Sequence, residues 1–149
     1  MKKYEILPHP AELRLRIYGK TIEELFINAA FALAKIQGKN IALRRRSSMK
    51  CYKKIIKIQS VDINSLLVDF LSEILAKSQI NKCVYLMSNV NCQMSGVKAE
   101  LKATLIGFPV DRFDEDIKAV TYQDINIRLK PQTSNPKTKV WQTDLVFDI

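Results

Sequence analysis

The sequence predicts an α+β fold of two layers, in which two helices pack on a mostly antiparallel sheet. Apolar residues recur with helical spacing in two segments, and they alternate with polar residues in several others. From residue 82 onward the chain consists of short apolar runs separated by turn residues, an order typical of antiparallel strands. At 149 residues, the chain is expected to form one domain spanning residues 1–149.

The first two predicted strands flank a rigid turn. Residues 4–7 are predicted as a short strand, and the Pro8-His9-Pro10 segment ends it. Pro10 disfavours a helical conformation at His9, and Pro8 fixes its own φ. Residues 13–18 alternate between apolar and polar side chains, which predicts a half-buried strand.

Two helices are marked by capping residues and by apolar periodicity. Thr21 and Glu24 form a capping box at the start of the first helix, and Gly38 suits its C-terminal cap. Residues 51–59 are rich in isoleucine and predict a strand before the second helix, which Asp62 or Asn64 can cap. The apolar faces of the two helices are Ile22, Leu25, Phe26, Ala29, Ala30, Leu33 and Ile36, and then Ile63, Leu66, Leu67, Phe70, Leu71, Ile74 and Leu75.

The second half of the chain is predicted to consist of strands and turns. Gly96 marks a turn between two strands, and Gly107 with Pro109 is expected to end the second of them. Residues 111–116 form an acidic loop, and residues 131–138 form a turn between the last two strands. The predicted strands cover residues 84–87, 90–94, 98–106, 124–129 and 140–147.

Composition excludes several classes of protein. The chain is 47% hydrophobic and 26% charged, as expected for a globular protein, and its longest apolar stretch is too short to cross a bilayer. We therefore expect a cytoplasmic protein without membrane association. The three cysteines form no Cys-x-x-Cys pair, which favours reduced thiols over a zinc site.

The net charge of +9 favours an anionic partner such as a nucleic acid. The densest basic cluster is Arg44-Arg45-Arg46, which is a candidate for nucleic-acid contact; further lysines follow it up to Lys57. The alternative is that these residues form a solvated basic surface, because Tyr52 is the one aromatic residue interleaved with them.

Carboxylates offer the remaining candidate chemistry. The chain has four unclustered glycines and one histidine, so it lacks a phosphate-binding loop, a two-histidine metal site and a G-x-S-x-G motif. Glu12 follows the rigid turn, and Asp148 and the terminal carboxylate of Ile149 end an apolar strand. If the fold brings these groups together, a hard divalent cation could neutralise them. Otherwise they are solvated carboxylates.

Five sequence blocks, in order, resemble the archease family over nearly the whole chain. The opening Tyr4-Glu5-Ile6-Leu7-Pro8-His9-Pro10-Ala11-Glu12 is similar to the family's Tyr-Glu-φ-φ-Asp-His-Thr-Ala-Asp, where φ is apolar. Residue 12 is thus Glu where the family has Asp, residue 10 is Pro for Thr, and Gln123 replaces a family histidine. The other matching blocks are residues 18–30, 66–75, 117–122 and 146–149.

The resemblance implies a metal site and an accessory role. It assigns Glu12, Asp148 and Ile149 as ligands of a divalent cation, with Ca²⁺ preferred over Mg²⁺ or Mn²⁺. His9 and Lys118 are candidate supporting residues; Lys118 would balance the carboxylates, or else be an ordinary surface lysine. The family activates the RtcB-type RNA ligase in tRNA splicing and RNA repair by promoting its guanylylation and turnover. The resemblance therefore implies an enzyme activator with no catalytic residues of its own.

Three other functions remain open. The protein could be a basic RNA-binding module, or a chaperone-like modulator of a tRNA methyltransferase, as the resemblance to archaeal family members implies. It could instead be a small metal-dependent hydrolase that uses the same carboxylates, with His9 as general base.

Overall fold

The computed structural model describes residues 1–39, 52–95, 98–132 and 134–149, and confirms the α+β fold class. Every strand pair recorded there is antiparallel. The elements in chain order are β1 (Tyr4–Leu7), β2 (Leu13–Gly19), α1 (Ile22–Gln37), β3 (Tyr52–Ser60), α2 (Ile63–Asn81), β4 (Cys83–Ser95), β5 (Lys98–Pro109), β6 (Ala119–Thr121), β7 (Arg128–Pro131) and β8 (Lys139–Asp148).

The strands divide between two sheets, a division that the sequence analysis did not make. Sheet A has the order β1-β2-β8-β6, and β7 also pairs with β8. Sheet B has the order β3-β5-β4. Both helices contact strands of both sheets, so α1 and α2 connect the two sheets through one apolar core. In the described segments, no helix is both long enough and apolar enough to span a bilayer.

The helix ends agree with the predicted caps. The Thr21 hydroxyl accepts a hydrogen bond from the Glu24 backbone at 3.0 Å, and Asp62 accepts one from the Ser65 backbone at 2.7 Å. These bonds satisfy N–H groups that the first turn of a helix leaves free. Gly38 caps α1 in an extended conformation (φ −147°), whereas Lys82 ends α2 in the left-handed region (φ 56°).

The predicted break at Gly107 is wrong, because β5 continues through it; the strand does end at Pro109. At Gly107 the strand needs a residue without a side chain: a Cβ there would lie 2.5 Å from the Tyr85 ring. The two strands predicted for residues 84–94 are one strand, β4, with a bulge between Met87 and Asn89. A bulge interrupts alternation without ending a strand, and this explains why the sequence reads as two segments.

The strand predicted for residues 124–129 is largely wrong, because the corresponding strand, β7, covers Arg128–Pro131. The backbone N–H groups before it are bound to side chains instead of to a neighbouring strand. That of Asn126 donates to the Thr143 hydroxyl at 3.0 Å, and that of Ile127 donates to Asn64 Oδ1 at 2.8 Å. Strand β6, whose three residues pair with the end of β8, was not predicted from the sequence.

Candidate functional site

The pairing of β2 with β8 brings Glu12 close to the end of β8. Leu13 is paired with Phe147, so the next residues outward on the two strands are Glu12 and Asp148. On the other side of β8, Asp148 is paired with Ala119 of β6, and the Lys118 N–H donates to the Asp148 carbonyl at 2.8 Å. The two segments singled out in the sequence thus meet at one end of sheet A.

Alternation along β2 places the charged side chains on the face of sheet A that points away from the core. Leu15 and Ile17 are fully buried, whereas Arg14 and Arg16 belong to the opposite face. Arg16 is paired in register with Asp144, and its guanidinium donates to that carboxylate at 2.8 and 3.2 Å. This hydrogen bonding raises the pKa of Arg16. The outer face of sheet A therefore carries cations that are already matched with anions.

Glu12 is bound by two basic side chains. Its Oε1 accepts from Arg14 Nη2 at 3.1 Å and lies 3.3 Å from His9 Nε2. Arg14 also donates through Nη1 to Asp124 Oδ2 at 2.5 Å, and its buried Nε has no hydrogen-bond partner among the described residues. These bonds raise the pKa of Arg14, the one to Asp124 contributing most and that to Glu12 next. We call Glu12, Arg14 and Asp124 the Arg14 network.

His9 is oriented by the turn that contains it. The Ala11 backbone N–H donates to His9 Nδ1 at 3.5 Å, and the opposite ring nitrogen faces Glu12. A neutral imidazole that accepts at Nδ1 carries its proton at Nε2, so His9 can donate to the Glu12 carboxylate. In this arrangement His9 holds Glu12 in place.

The donor set suits a hard divalent cation, but the present side-chain arrangement competes with one. The carboxylates of Glu12 and Asp148 are oxygen donors of the kind that Ca²⁺ or Mg²⁺ prefers, and Ile149 follows Asp148 directly. Among the described residues, however, no three or more His, Cys, Asp or Glu side chains are grouped so that they could hold a metal ion. A cation at Glu12 would have to displace the Arg14 guanidinium, which already neutralises that carboxylate.

The other candidates have different positions. The Lys118 side chain is exposed and makes no ion pair with a carboxylate in the described part of the chain, as expected for a surface lysine. Arg44, Arg45 and Arg46 lie outside the described residues.

Two members of the Arg14 network, Arg14 and Asp124, were not predicted from the sequence as site residues. Arg14 could have been found from the alternation of residues 13–18, because Glu12 and Arg14 are two positions apart and therefore share a face. Asp124 carried no comparable signal. It reaches Arg14 from a loop across the sheet, where its backbone adopts a left-handed conformation with φ 61°.

A second polar contact joins β6 to α2. Asp69 of α2 accepts hydrogen bonds from the hydroxyls of Tyr122 and Ser60. The bond to Asp69 raises the pKa of Tyr122. Asp69 thereby ties the segment after β6 to the helix.

Comparisons with known proteins agree with one another. Residues 4–149 match the family model described as "Archease protein family (MTH1598/TM1083)". The chain is 32% identical to "Protein archease" of Methanosarcina barkeri, and the alignment covers 99% of this chain and 97% of that protein. It is 29% identical to "Protein archease" of Pyrococcus abyssi, over the full length of both.

Two solved structures share the fold. The solution structure of Methanobacterium thermoautotrophicum protein 1598 superposes with a TM-score of 0.77 at 21% identity and covers 100% of both chains. The crystal structure of "an archease, possible chaperone" from Thermotoga maritima has a TM-score of 0.61 at 19% identity, covering 96% of this chain and 94% of the other.

Proposed function

The chain belongs to the archease family, and on that premise we propose that it is a non-enzymatic accessory protein that activates an RNA ligase of the RtcB type. The proposal is supported above all by the meeting of Glu12 with the end of β8 at one end of sheet A. The two segments that carry the proposed ligands, distant in sequence, are therefore adjacent in the sheet. The proposed role is to promote guanylylation of the ligase during RNA splicing or repair.

The same carboxylates are the proposed metal ligands. Glu12, Asp148 and Ile149 would hold a divalent cation, with Ca²⁺ preferred and Mg²⁺ or Mn²⁺ as alternatives. When bound, such a cation would neutralise the negative charge that develops during phosphoryl transfer. The chain itself contributes the positioning: His9 fixes Glu12, and the Lys118 N–H fixes the carbonyl of Asp148. Release of Glu12 from Arg14 is a condition for metal binding in this proposal.

An accessory role fits this site better than hydrolysis does. His9 is the chain's only histidine, and its Nε2 is directed at Glu12, which is in turn bound to Arg14. A general base needs a lone pair free to accept a substrate proton. Here one ring nitrogen of His9 accepts from the backbone and the other faces a carboxylate, so His9 is better suited to hold Glu12 than to activate water.

The test measures guanylylation of a purified RtcB-type ligase with and without the protein. We expect the wild-type chain to accelerate formation of the guanylylated ligase, and Glu12→Gln and Asp148→Asn each to reduce that acceleration at least tenfold. Asp116→Asn is the matched control, because Asp116 is an exposed carboxylate in the loop of residues 111–116. The proposal fails if the wild-type chain has no effect, or if the two site variants stimulate as well as the control does.

A further inference from the structure

The outer face of sheet B is lined by lysines. On β3, Ile56 is buried towards the helices, so Lys57 points away from the core. On β5, Ala99, Leu101 and Ala103 are buried, and the residues that alternate with them are mostly exposed. The face formed by Lys53, Lys57, Lys98 and Lys102 is called here the lysine face.

Two of these lysines form an unfavourable cross-strand pair. Lys57 and Lys102 are directly opposite in the register of β3 with β5. Like charges in that position repel. None of the four lysines makes an ion pair with any carboxylate in the described segments. Glu100, the acidic residue of this face, makes no ion pair with any described basic side chain. On the outer face of sheet A, by contrast, Arg14 and Arg16 are both paired with carboxylates.

Amide side chains flank the lysine pair. Asn91 is opposite Lys102, and Gln59 and Gln93 lie on either side of Glu100. These amides make no hydrogen bond to another described residue. Together with Lys57 and Lys102 they line an open depression of about 460 Å³. The ammonium groups can bind phosphate oxygens, and the amides can both donate to and accept from hydroxyls and base edges.

The shape of the face suits a strand of nucleic acid better than a single phosphate. Lys53 is opposite Ile106, and Lys98 is eight residues along β5 from that position. At about 3.4 Å per residue the lysines therefore extend over roughly 27 Å. The apolar end of the same face is covered by Phe31 and Phe113, whereas the end around Lys102 is open.

We propose that the lysine face binds RNA through its phosphodiester backbone. The open part of the face carries no aromatic side chain among the described residues, so binding should rest on phosphate contacts and tolerate any sequence. This inference goes beyond ligase activation, although the choice of RNA as the polyanion rests on that proposed function. It also uses residues other than Arg44, Arg45 and Arg46.

The test is fluorescence anisotropy of a labelled 20-nucleotide single-stranded RNA with the isolated full chain. We expect Lys57→Gln with Lys102→Gln to raise the Kd about tenfold or more at low salt. The slope of log Kd against log salt concentration should fall by about 1.4, since each lost phosphate contact removes about 0.7. The matched control is Lys39→Gln with Lys137→Gln, which makes the same change in net charge at exposed lysines outside the sheets. We expect less than a twofold change for this control.

Two results would overturn the proposal. Equal losses for the two double variants would mean that net charge alone drives binding. Competition by polyglutamate as effective as that by unlabelled RNA would mean that the face takes acidic protein segments. Asn91→Ala with Gln93→Ala should lose affinity several-fold with an unaltered salt slope, because the amides are uncharged. No ligase is present, so the outcome is independent of the guanylylation assay.

Discussion

Replacing Arg14 tests whether the protein carries its own competitor for a metal ion. In the Arg14 network one guanidinium serves both Glu12 and Asp124, at 3.1 and 2.5 Å. Arg14→Gln keeps a polar side chain of moderate length but removes the positive charge. If Glu12 is a metal ligand, the variant should bind Ca²⁺ more tightly than the wild-type chain does.

The size of the effect follows from the geometry of the contact. Repulsion between two unit positive charges about 4 Å apart in water weakens cation binding roughly fivefold. For a divalent cation the factor is about 30. The Arg14 side chain is 19% exposed and shares its charge with Asp124, so both screening and sharing reduce the effect. We expect the dissociation constant for Ca²⁺ to fall about tenfold.

Isothermal titration calorimetry at fixed ionic strength measures this directly. The matched control is Arg16→Gln, because Arg16 lies on the same strand and face but pairs with Asp144 instead of Glu12. The control should bind Ca²⁺ like the wild type. Unchanged or weaker binding in Arg14→Gln, with the control normal, would refute the competition. If neither the wild-type chain nor any variant, Glu12→Gln included, binds Ca²⁺, the metal site itself is refuted.

The remaining predictions concern packing and thiol chemistry. Gly19→Ala should destabilise the protein by about 1–3 kcal/mol and lower its Tm by several degrees, because a Cβ there would lie 2.4 Å from the Leu25 backbone nitrogen. In Gly38→Ala the nearest atom to the new Cβ belongs to the Val84 side chain, at 3.1 Å, so this change should cost less; equal melting curves would contradict this. Burial raises the pKa of Cys92 from 9.0 to about 12, so its thiolate population at pH 8 should be about 1,000-fold below normal. Its iodoacetamide alkylation, followed by mass spectrometry, should be correspondingly slower in the native than in the urea-unfolded protein, and similar rates would show that burial does not control it.

Local signals in the sequence were enough to predict the helices and the first strands. Thr21 and Asp62 cap their helices because a side-chain oxygen three residues before a backbone N–H can reach it without help from the rest of the fold. The strand of residues 4–7 was predicted with the bounds that the structure has. These features depend on neighbours within one turn of chain, and such neighbours are visible in one sequence.

Features that depend on distant residues could not be predicted in the same way. The break expected at Gly107 was wrong because the position is defined by Tyr85 on the next strand. The strand expected for residues 124–129 was largely wrong because Asn64 and Thr143, remote in sequence, bind its backbone. In the candidate site, Glu12 and Asp148 were predicted from a resemblance, whereas the link from Arg14 to Asp124 requires the fold.

The two sheets differ in how their outer charges are matched, and this difference separates the two proposals experimentally. Arg14 and Arg16 are held by carboxylates at hydrogen-bonding distance, so salt weakens these contacts less than it weakens a long-range attraction. Lys57 and Lys102 have no such partners in the described chain, so their attraction for a polyanion is long-range and decreases steeply with salt. Raising the ionic strength should therefore abolish RNA binding by the isolated protein well before it disturbs the Glu12 end of sheet A. Ligase stimulation that survives at a salt concentration where the RNA no longer binds would assign activation to Glu12 and Asp148 and leave the lysine face with a separate role in holding RNA.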